Sequence, residues 1–196
     1  MNLSHVGSEK TPSASLENLS PIRLLVITAS TRPGRFGPTV SHWFMKHAAS
    51  RPEFETIALD LAEIDPAGNA VAAALREVDA VILITPEYNH SFPGPLKTAI
   101  DNVYSEWRGL PIGFVSYGGR SGGLRAVEAL RGVLTELHAL TVRETVSLPN
   151  AWDLFDEDGH PLDPNLRVGT VDRMLNQLKW WAGAVSAGRR LATYPE

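Results

Sequence analysis

The stretch TPEYNHSFPGPLKTAID, residues Thr85 to Asp101, follows the apolar run AVILI at residues 80–84. Such a run predicts a strand from Ala80 to Thr85 that is buried on both faces, as the strands of parallel sheets are. The triplet PGP at residues 93–95 interrupts the chain, and the pattern predicts a helix from about Gly94 to Trp107. A buried strand, a stiff polar loop and a helix in this order form the repeating unit of a parallel α/β sheet.

The same strand–helix alternation continues in both directions along the chain. The other predicted strands are Ile22–Thr28, Phe54–Leu59, Pro111–Tyr117 and Thr141–Val146, and the other predicted helices are Pro38–Ala49, Asn69–Val78, Gly122–Leu137 and Leu166–Ala187. Five such repeats predict an α/β/α sandwich of three layers around a five-stranded parallel sheet. Right-handed crossovers favour the strand order 2-1-3-4-5, which is the flavodoxin-like arrangement.

Length and composition fit one domain. The chain has 196 residues, of which 43% are hydrophobic, and a formal net charge of -4. This charge gives no sign of a nucleic-acid partner, and no apolar run approaches the roughly 18 residues of a membrane span. The lack of cysteine excludes disulfides and thiolate metal sites, and it fits a cytoplasmic protein. Residues 1–20 are polar and predict a mobile tail, which leaves residues 21–196 as the folded domain.

The loop after the first predicted strand has the chemistry of a phosphate site. TASTRPGRFGPTV, residues 28–40, contains the hydroxyls of Ser30 and Thr31, two arginines and two glycines before a helix begins. Helix N-termini offer unpaired N–H groups, and guanidinium groups add charge-assisted hydrogen bonds. The loop matches neither the Walker nor the G-x-G-x-x-G pattern. The alternative is a plain turn with surface arginines.

The loop after the fourth strand, SYGGRSGGL at residues 116–124, is rich in glycine. Because four glycines cost folding entropy, they suggest a backbone that packs closely against something flat. A flexible surface loop is the alternative. In an open parallel sheet the loops after strands 1, 3 and 4 meet at the carboxyl edge, where ligands bind.

A competing interpretation comes from the same loop. Gly119 to Gly123 matches the nucleophile pattern G-x-S-x-G around Ser121, and an aspartate (Asp153, Asp156 or Asp158) and His160 follow in hydrolase order. The match is loose, because Ser121 does not directly follow the strand and the acids and His160 share one short loop.

Taken together, the three loops resemble the NADPH-dependent FMN reductase family, whose members include quinone, chromate and azo-dye reductases. The resemblance covers about Ile22 to Val185. Its most specific part is the opening stretch, which follows the family pattern P-E-Y-N-x-S-x-P-G-x-L-K-N-A-I-D except at Thr98. The first loop resembles the pattern G-S-x-R-x-x-S, with Ala29 and Arg35 as departures.

The resemblance implies noncovalent FMN, NADPH or NADH as electron donor, and small acceptors such as quinones, azo or nitro compounds, chromate or free flavin. Hydride would pass from NADPH to flavin N5 and then to the acceptor in a ping-pong scheme, with no catalytic side chain and no metal. The phosphate would lie against the first loop, the ring and ribityl chain against the second, and the pyrimidine edge against the third. The implied cofactor-binding residues are Ser30, Arg32, Arg35, Phe36, Gly37, Pro38, Thr39, Pro86, Glu87, Tyr88, Asn89, Ser116, Tyr117, Gly118 and Gly119.

Family resemblance also implies a homodimer or homotetramer in which the flavin lies near the interface. The aromatic residues considered for that interface are Trp107, Trp152, Phe155, Trp180 and Trp181. Adjacent helix positions face about 100° apart, so Trp180 and Trp181 do not both pack in the core. An FMN-binding electron carrier without NAD(P)H activity remains the alternative function.

Overall fold

The computed structural model of the protein describes residues 20–195. The tail predicted for residues 1–20 lies outside them, except for Ser20. The described chain forms five strands: β1 (Ile22–Thr28), β2 (Phe54–Asp60), β3 (Ala80–Pro86), β4 (Pro111–Gly118) and β5 (Leu140–Pro149). They pair in parallel in the order β2-β1-β3-β4-β5, which confirms the predicted flavodoxin-like sheet.

Five helices follow the strands in turn. They are α1 (Gly37–Ala49), α2 (Ala70–Arg76), α3 (Gly94–Asp101), α4 (Leu124–Glu136) and α5 (Val168–Leu191). Helix α3 is shorter than predicted, because the chain leaves the helix at Asn102 and resumes as a short 3-10 helix at Ser105–Trp107. None of the helices within residues 20–195 is long and apolar enough to cross a membrane.

Strand alternation divides the interior into two cores. Leu24 and Val26 of β1 face the core that contains α1 and α5, whereas Leu25 and Ile27 face the core that contains α2, α3 and α4. All four side chains are at most 1% exposed. Since burial of one such side chain is worth about 1.5–3 kcal/mol, the central strands dominate the stability of the sheet and hold its carboxyl edge rigid.

The tryptophans differ in burial. Trp107 is fully buried in the core, which excludes it from the predicted interface. Trp181 packs against the core that contains α1 and α5, while its neighbour Trp180 is 59% exposed, as the angle between adjacent helix positions predicts. Trp152 is 57% exposed, and Phe155 is buried.

Candidate functional site

The three unusual loops lie side by side at the carboxyl edge of the sheet. Residue Thr28 of β1 pairs with Ile84 of β3, and Pro86 of β3 pairs with Tyr117 of β4. Backbone hydrogen bonds continue the pairing into the loops, because Glu87 N donates to Tyr117 O at 3.2 Å. Strands β1 and β3 are neighbours, but the helices that follow them, α1 and α3, pack on opposite faces of the sheet. The point between two such strands is the switch point where parallel sheets bind ligands, and the three loops surround it.

Two buried hydroxyls converge on the start of α1. Ser30 Oγ and Tyr117 Oη are buried and have no hydrogen-bond partner of regular geometry within residues 20–195. A Cβ atom at Gly37, the first residue of α1, would lie 2.2 Å from Ser30 Oγ and 3.0 Å from Tyr117 Oη. Buried polar groups normally have partners, so two hydroxyls that have only each other, beside an uncapped helix N-terminus, indicate an anion site.

Burial also controls the ionisation of Tyr117. Loss of contact with water raises the pKa of the Tyr117 phenol well above its usual value, and the nearby Ser30 hydroxyl opposes only part of this rise. The phenol therefore remains protonated at every physiological pH and can donate its O–H to an anion.

Arg35 is directed away from the open loop. Its guanidinium donates to Ser30 O at 2.8 Å and forms an ion pair with Asp60, the last residue of β2. The hydrogen bond to Asp60, although opposed by burial, raises the pKa of Arg35. The cation thus fixes the first loop to the end of β2, and of the two arginines in this loop only Arg32 is exposed.

The other first-loop residues have separate surroundings. Phe36 precedes α1 and packs against the rings of Tyr117 and Phe155, at centroid distances of 6.3 and 5.6 Å. Pro38 and Thr39 form the first turn of α1, and no side chain caps that turn. Arg32 is exposed, and its guanidinium stacks on the ring of Tyr88 in the second loop.

The second loop contains a tight turn that the sequence did not reveal. Tyr88 N donates to Ser91 O at 2.8 Å, and Ser91 N donates to Tyr88 O at 3.0 Å. Between them, Asn89 and His90 have φ angles of 51° and 67°. Asparagine tolerates this region, whereas histidine adopts it at a cost of about 1–3 kcal/mol. Such strain is typical of functional loops, and it gives residues 88–91 one defined shape.

The third loop is anchored and is not a free surface loop. Gly122 and Gly123 have positive φ angles, and Cβ atoms there would lie 2.2 Å from Ser147 Oγ and 2.7 Å from Ser116 Cβ. Gly122 O also accepts hydrogen bonds from Ser116 Oγ and Ser147 Oγ. Gly119, in contrast, has open space on its Cβ side. The close packing predicted for this loop is against β4 and β5, and the open side remains free to face a ligand.

Glu87 connects the second loop to the third. Its side chain is 7% exposed, and its carboxylate accepts hydrogen bonds from Ser121 Oγ at 2.7 Å and from Arg125 N and Nε at 3.2 and 2.5 Å. Burial raises the pKa of Glu87, but these hydrogen bonds outweigh burial and lower it overall. The resemblance implies a contact of Glu87 with the cofactor ring, and in the structure the Glu87 carboxylate is directed into the third loop.

The same contacts argue against the hydrolase interpretation. Ser121 donates to Glu87, while His160 Nδ1 lies 3.6 Å from Asp156 in a separate, exposed turn. No histidine is therefore in position to activate Ser121 among the contacts of the described residues. Within residues 20–195, no group of three or more His, Cys, Asp or Glu side chains is arranged to hold a metal ion.

A cavity of about 440 Å³ lies at the opposite, amino edge of the sheet. It is bordered by Ser20, Ile22, Glu53, Asp79 and Lys179, and by the end of α5. None of the three loops contributes to its lining, so it is separate from the candidate site.

The model of the NADPH-dependent FMN reductases matches residues 22–153, which is more than half of the chain. The chain belongs to this family. The match includes all three loops and every residue listed above as a candidate cofactor contact. The family's description names its members as NADPH-dependent reductases of FMN.

Individual members of the FMN reductase family are similar to this chain over part of their length. An NAD(P)H-dependent FMN reductase of Schizosaccharomyces pombe is 31% identical over 120 residues, which are 52% of this chain and 60% of the relative. A quinone reductase of Pseudomonas putida is 40% identical over 116 residues, or 54% of this chain and 61% of the relative. The matched segment thus spans about three fifths of each of these relatives.

The fold has a close counterpart among solved structures. FerB, a flavoenzyme NAD(P)H:(acceptor) oxidoreductase from Paracoccus denitrificans, superposes with a TM-score of 0.69 at 23% sequence identity. The superposition covers 81% of this chain and 98% of FerB, and it supports the flavodoxin-like fold.

Proposed function

We propose that this protein is an FMN-dependent NAD(P)H oxidoreductase that acts on small electrophilic acceptors. The observation that carries the proposal is the pair of buried hydroxyls, Ser30 Oγ and Tyr117 Oη, which have no partner beyond each other among the described residues and lie beside Gly37 at the start of α1. A phosphate supplies the acceptors that these groups lack, and membership of the family supports FMN as its source.

The residues present fit FMN. Ser30, Tyr117, Arg32 and the first turn of α1 would hold the phosphate, while Arg35 acts indirectly by fixing the loop to Asp60. The stiff turn after Pro86 would border the ring, and Gly118 with the open side of Gly119 would face its pyrimidine edge. Hydrogen bonds within the protein already fix the backbone of the three loops, so less entropy is lost when the cofactor binds.

Bound FMN supplies the redox chemistry, since it takes hydride from NAD(P)H and passes it to an acceptor. The protein positions both partners over the ring, and no side chain of the site is needed as nucleophile or metal ligand. We expect the two substrates to use the same space in turn, which predicts parallel lines in double-reciprocal plots. Quinones, azo or nitro compounds, chromate and free flavin are the acceptors to compare.

The experiment is a titration of purified protein with FMN, followed by anaerobic addition of NADPH or NADH. We expect a yellow complex whose flavin absorbance is bleached by the nucleotide. A protein that cannot be reconstituted with FMN would contradict the proposal. A yellow protein that neither nucleotide bleaches would identify an electron carrier instead.

We further propose that two copies of the chain associate near the site. Trp152 and Leu162 are 57% and 66% exposed in the segment that follows β5. Large exposed apolar side chains in one segment are typical of association surfaces. Light scattering of Trp152→Ser should show a smaller mass than wild type, whereas Trp180→Ser serves as the matched control on α5. A monomeric wild-type protein would contradict this assembly.

A further inference from the structure

Besides its bonds to Ser116 and Ser147, the glycine loop, residues 118–123, is tied to a carboxylate of the second loop. Glu87 accepts hydrogen bonds from Ser121 Oγ and Arg125 N through one carboxylate oxygen and from Arg125 Nε through the other. All three partners are donors. Only an ionised carboxylate offers acceptors on both oxygens, so a glutamine at this position would direct its NH₂ group at a donor.

The geometry also places Glu87 against the backbone of the loop. A Cβ atom at Gly118 would lie 3.8 Å from Glu87 Cβ and 3.6 Å from Gly123 N. Arg125 is the second residue of α4, so the carboxylate lies at the positive end of that helix as well as beside a guanidinium. Glu87 therefore joins the end of β3, the glycine loop and the start of α4.

We infer that Glu87 is a positioning residue that fixes the glycine loop in the shape that binds the pyrimidine edge of the flavin, and that Glu87 and Arg125 bias the flavin potential in opposite directions. This inference rests on the proposed function. The physical reason is charge: reduction adds negative charge to the flavin, which a nearby cation stabilises and a nearby anion destabilises. While Glu87 and Arg125 are paired, the effects of their two charges on the flavin potential largely cancel.

Removal of one partner exposes the charge of the other. Glu87→Gln leaves the Arg125 cation without its carboxylate and should raise the midpoint potential of bound FMN. Arg125→Gln leaves a buried carboxylate without its guanidinium and should lower that potential. A loop that is only loosened would shift both variants the same way, so the opposite signs separate the charge effect from a structural one.

The experiment measures FMN affinity and midpoint potential in wild type, Glu87→Gln, Arg125→Gln and the matched control Glu136→Gln. Glu136 is an exposed glutamate at the far end of α4. We expect Glu87→Gln to weaken FMN binding about tenfold, because charge-assisted hydrogen bonds of this kind contribute about that factor. The control should match wild type in both quantities.

A second measurement needs no flavin. Hydrogen exchange of the amides of residues 118–123 in cofactor-free protein should be faster in Glu87→Gln than in wild type. Ser121→Ala removes only one of the three hydrogen bonds to Glu87, so it should give a smaller increase in the exchange rate. It also keeps the test valid if the Glu87 variant fails to fold. If wild type does not bind FMN, the proposed function fails while this measurement still decides whether Glu87 fixes the loop.

Two results would overturn the inference. One is a Glu87→Gln protein of reduced thermal stability whose FMN affinity and potential equal those of wild type, since Glu87 would then serve the fold alone. The other is unchanged exchange at residues 118–123, which would show that Ser116, Ser147 and the backbone are sufficient to hold the loop.

Discussion

The guanidinium carbon of Arg32 lies 3.6 Å from the centroid of the Tyr88 ring. This cation–π contact joins the first loop to the second across the mouth of the candidate site. At an exposed position it contributes about 0.5–1 kcal/mol, which is less than a guanidinium gains from a phosphate. Arg32 can therefore leave Tyr88 for the phosphate when FMN binds.

Arg32→Ala should weaken the binding of FMN about tenfold or more, as the loss of a charge-assisted hydrogen bond predicts. Riboflavin, which lacks the phosphate, should bind the variant and wild type equally. Fluorescence titration with both flavins measures the ratio. Arg143→Ala, at a 91% exposed side chain on β5, is the control. An equal loss for the two flavins would place Arg32 at the ring and not at the phosphate.

Tyr117→Phe should have opposite effects on stability and on cofactor binding. Apart from Ser30 Oγ, the buried hydroxyl has no partner within residues 20–195, so its removal should leave the cofactor-free protein as stable or about 1 kcal/mol more stable. The same change deprives the phosphate of a donor, so FMN affinity should fall several-fold. Urea unfolding and fluorescence titration measure the two quantities. Tyr104→Phe, at a 54% exposed ring, should change neither.

Gly37→Ala should destabilise the protein and prevent FMN binding. The added methyl group would lie 2.2 Å from Ser30 Oγ and 2.9 Å from Thr28 Cγ2. Overpacking of this kind costs about 1–3 kcal/mol, and here it also fills the space between the two hydroxyls. Gly132→Ala is the control, because that glycine lies within α4 and has no atom within 4 Å of its Cβ position. It should stabilise the protein by about 0.5–1 kcal/mol.

Acid sensitivity should arise in part at Glu53, away from the site. The hydrogen bond from Arg51 lowers the pKa of Glu53 to about 2 from an ordinary value of 4.5. Because the folded-state pKa is depressed, the stabilisation is present above about pH 4.5 and is lost as the pH falls towards 2. Glu53→Gln should therefore cost about 1 kcal/mol at pH 7, allowing for solvent screening, and little at pH 2.

Urea unfolding of Glu53→Gln at several pH values tests this expectation, and Glu55→Gln, two residues further along in β2, is the control. Glu55 is exposed, so Glu55→Gln should change the free energy of unfolding by less than about 0.5 kcal/mol relative to wild type at any pH. A destabilisation of Glu53→Gln that is independent of pH would show that packing, and not charge, is what the variant loses.

Sequence alone was sufficient for the sheet, because buried parallel strands are continuous apolar runs and their limits are marked by turn residues. The predicted β1, Ile22–Thr28, agrees with the structure at both ends, and the other strands differ by at most a few residues. Helix α3 was predicted too long because Trp107 is an apolar residue at helical spacing. Its side chain is buried, but Trp107 belongs to a separate 3-10 helix and not to α3.

Side-chain partners from distant parts of the chain were not predictable. Local pattern showed that Glu87 and Arg35 belong to the loops, but their partners Arg125 and Asp60 are brought near only by the fold. Likewise, the left-handed turn at Asn89 and His90 carries no glycine to mark it. Such contacts depend on tertiary structure, which a single sequence does not display.

The anchoring of the glycine loop on β5 has a consequence for biosynthesis. Ser30 emerges early from the ribosome, but Tyr117 belongs to β4, and Gly122 is held by Ser147 of β5. Domains generally fold as units during synthesis, so the three loops should come together only after the edge strand β5, which holds Gly122, has emerged. We therefore expect a nascent chain that ends before β5 to lack FMN binding, and cofactor loading to be a late step, after most of the chain has left the tunnel.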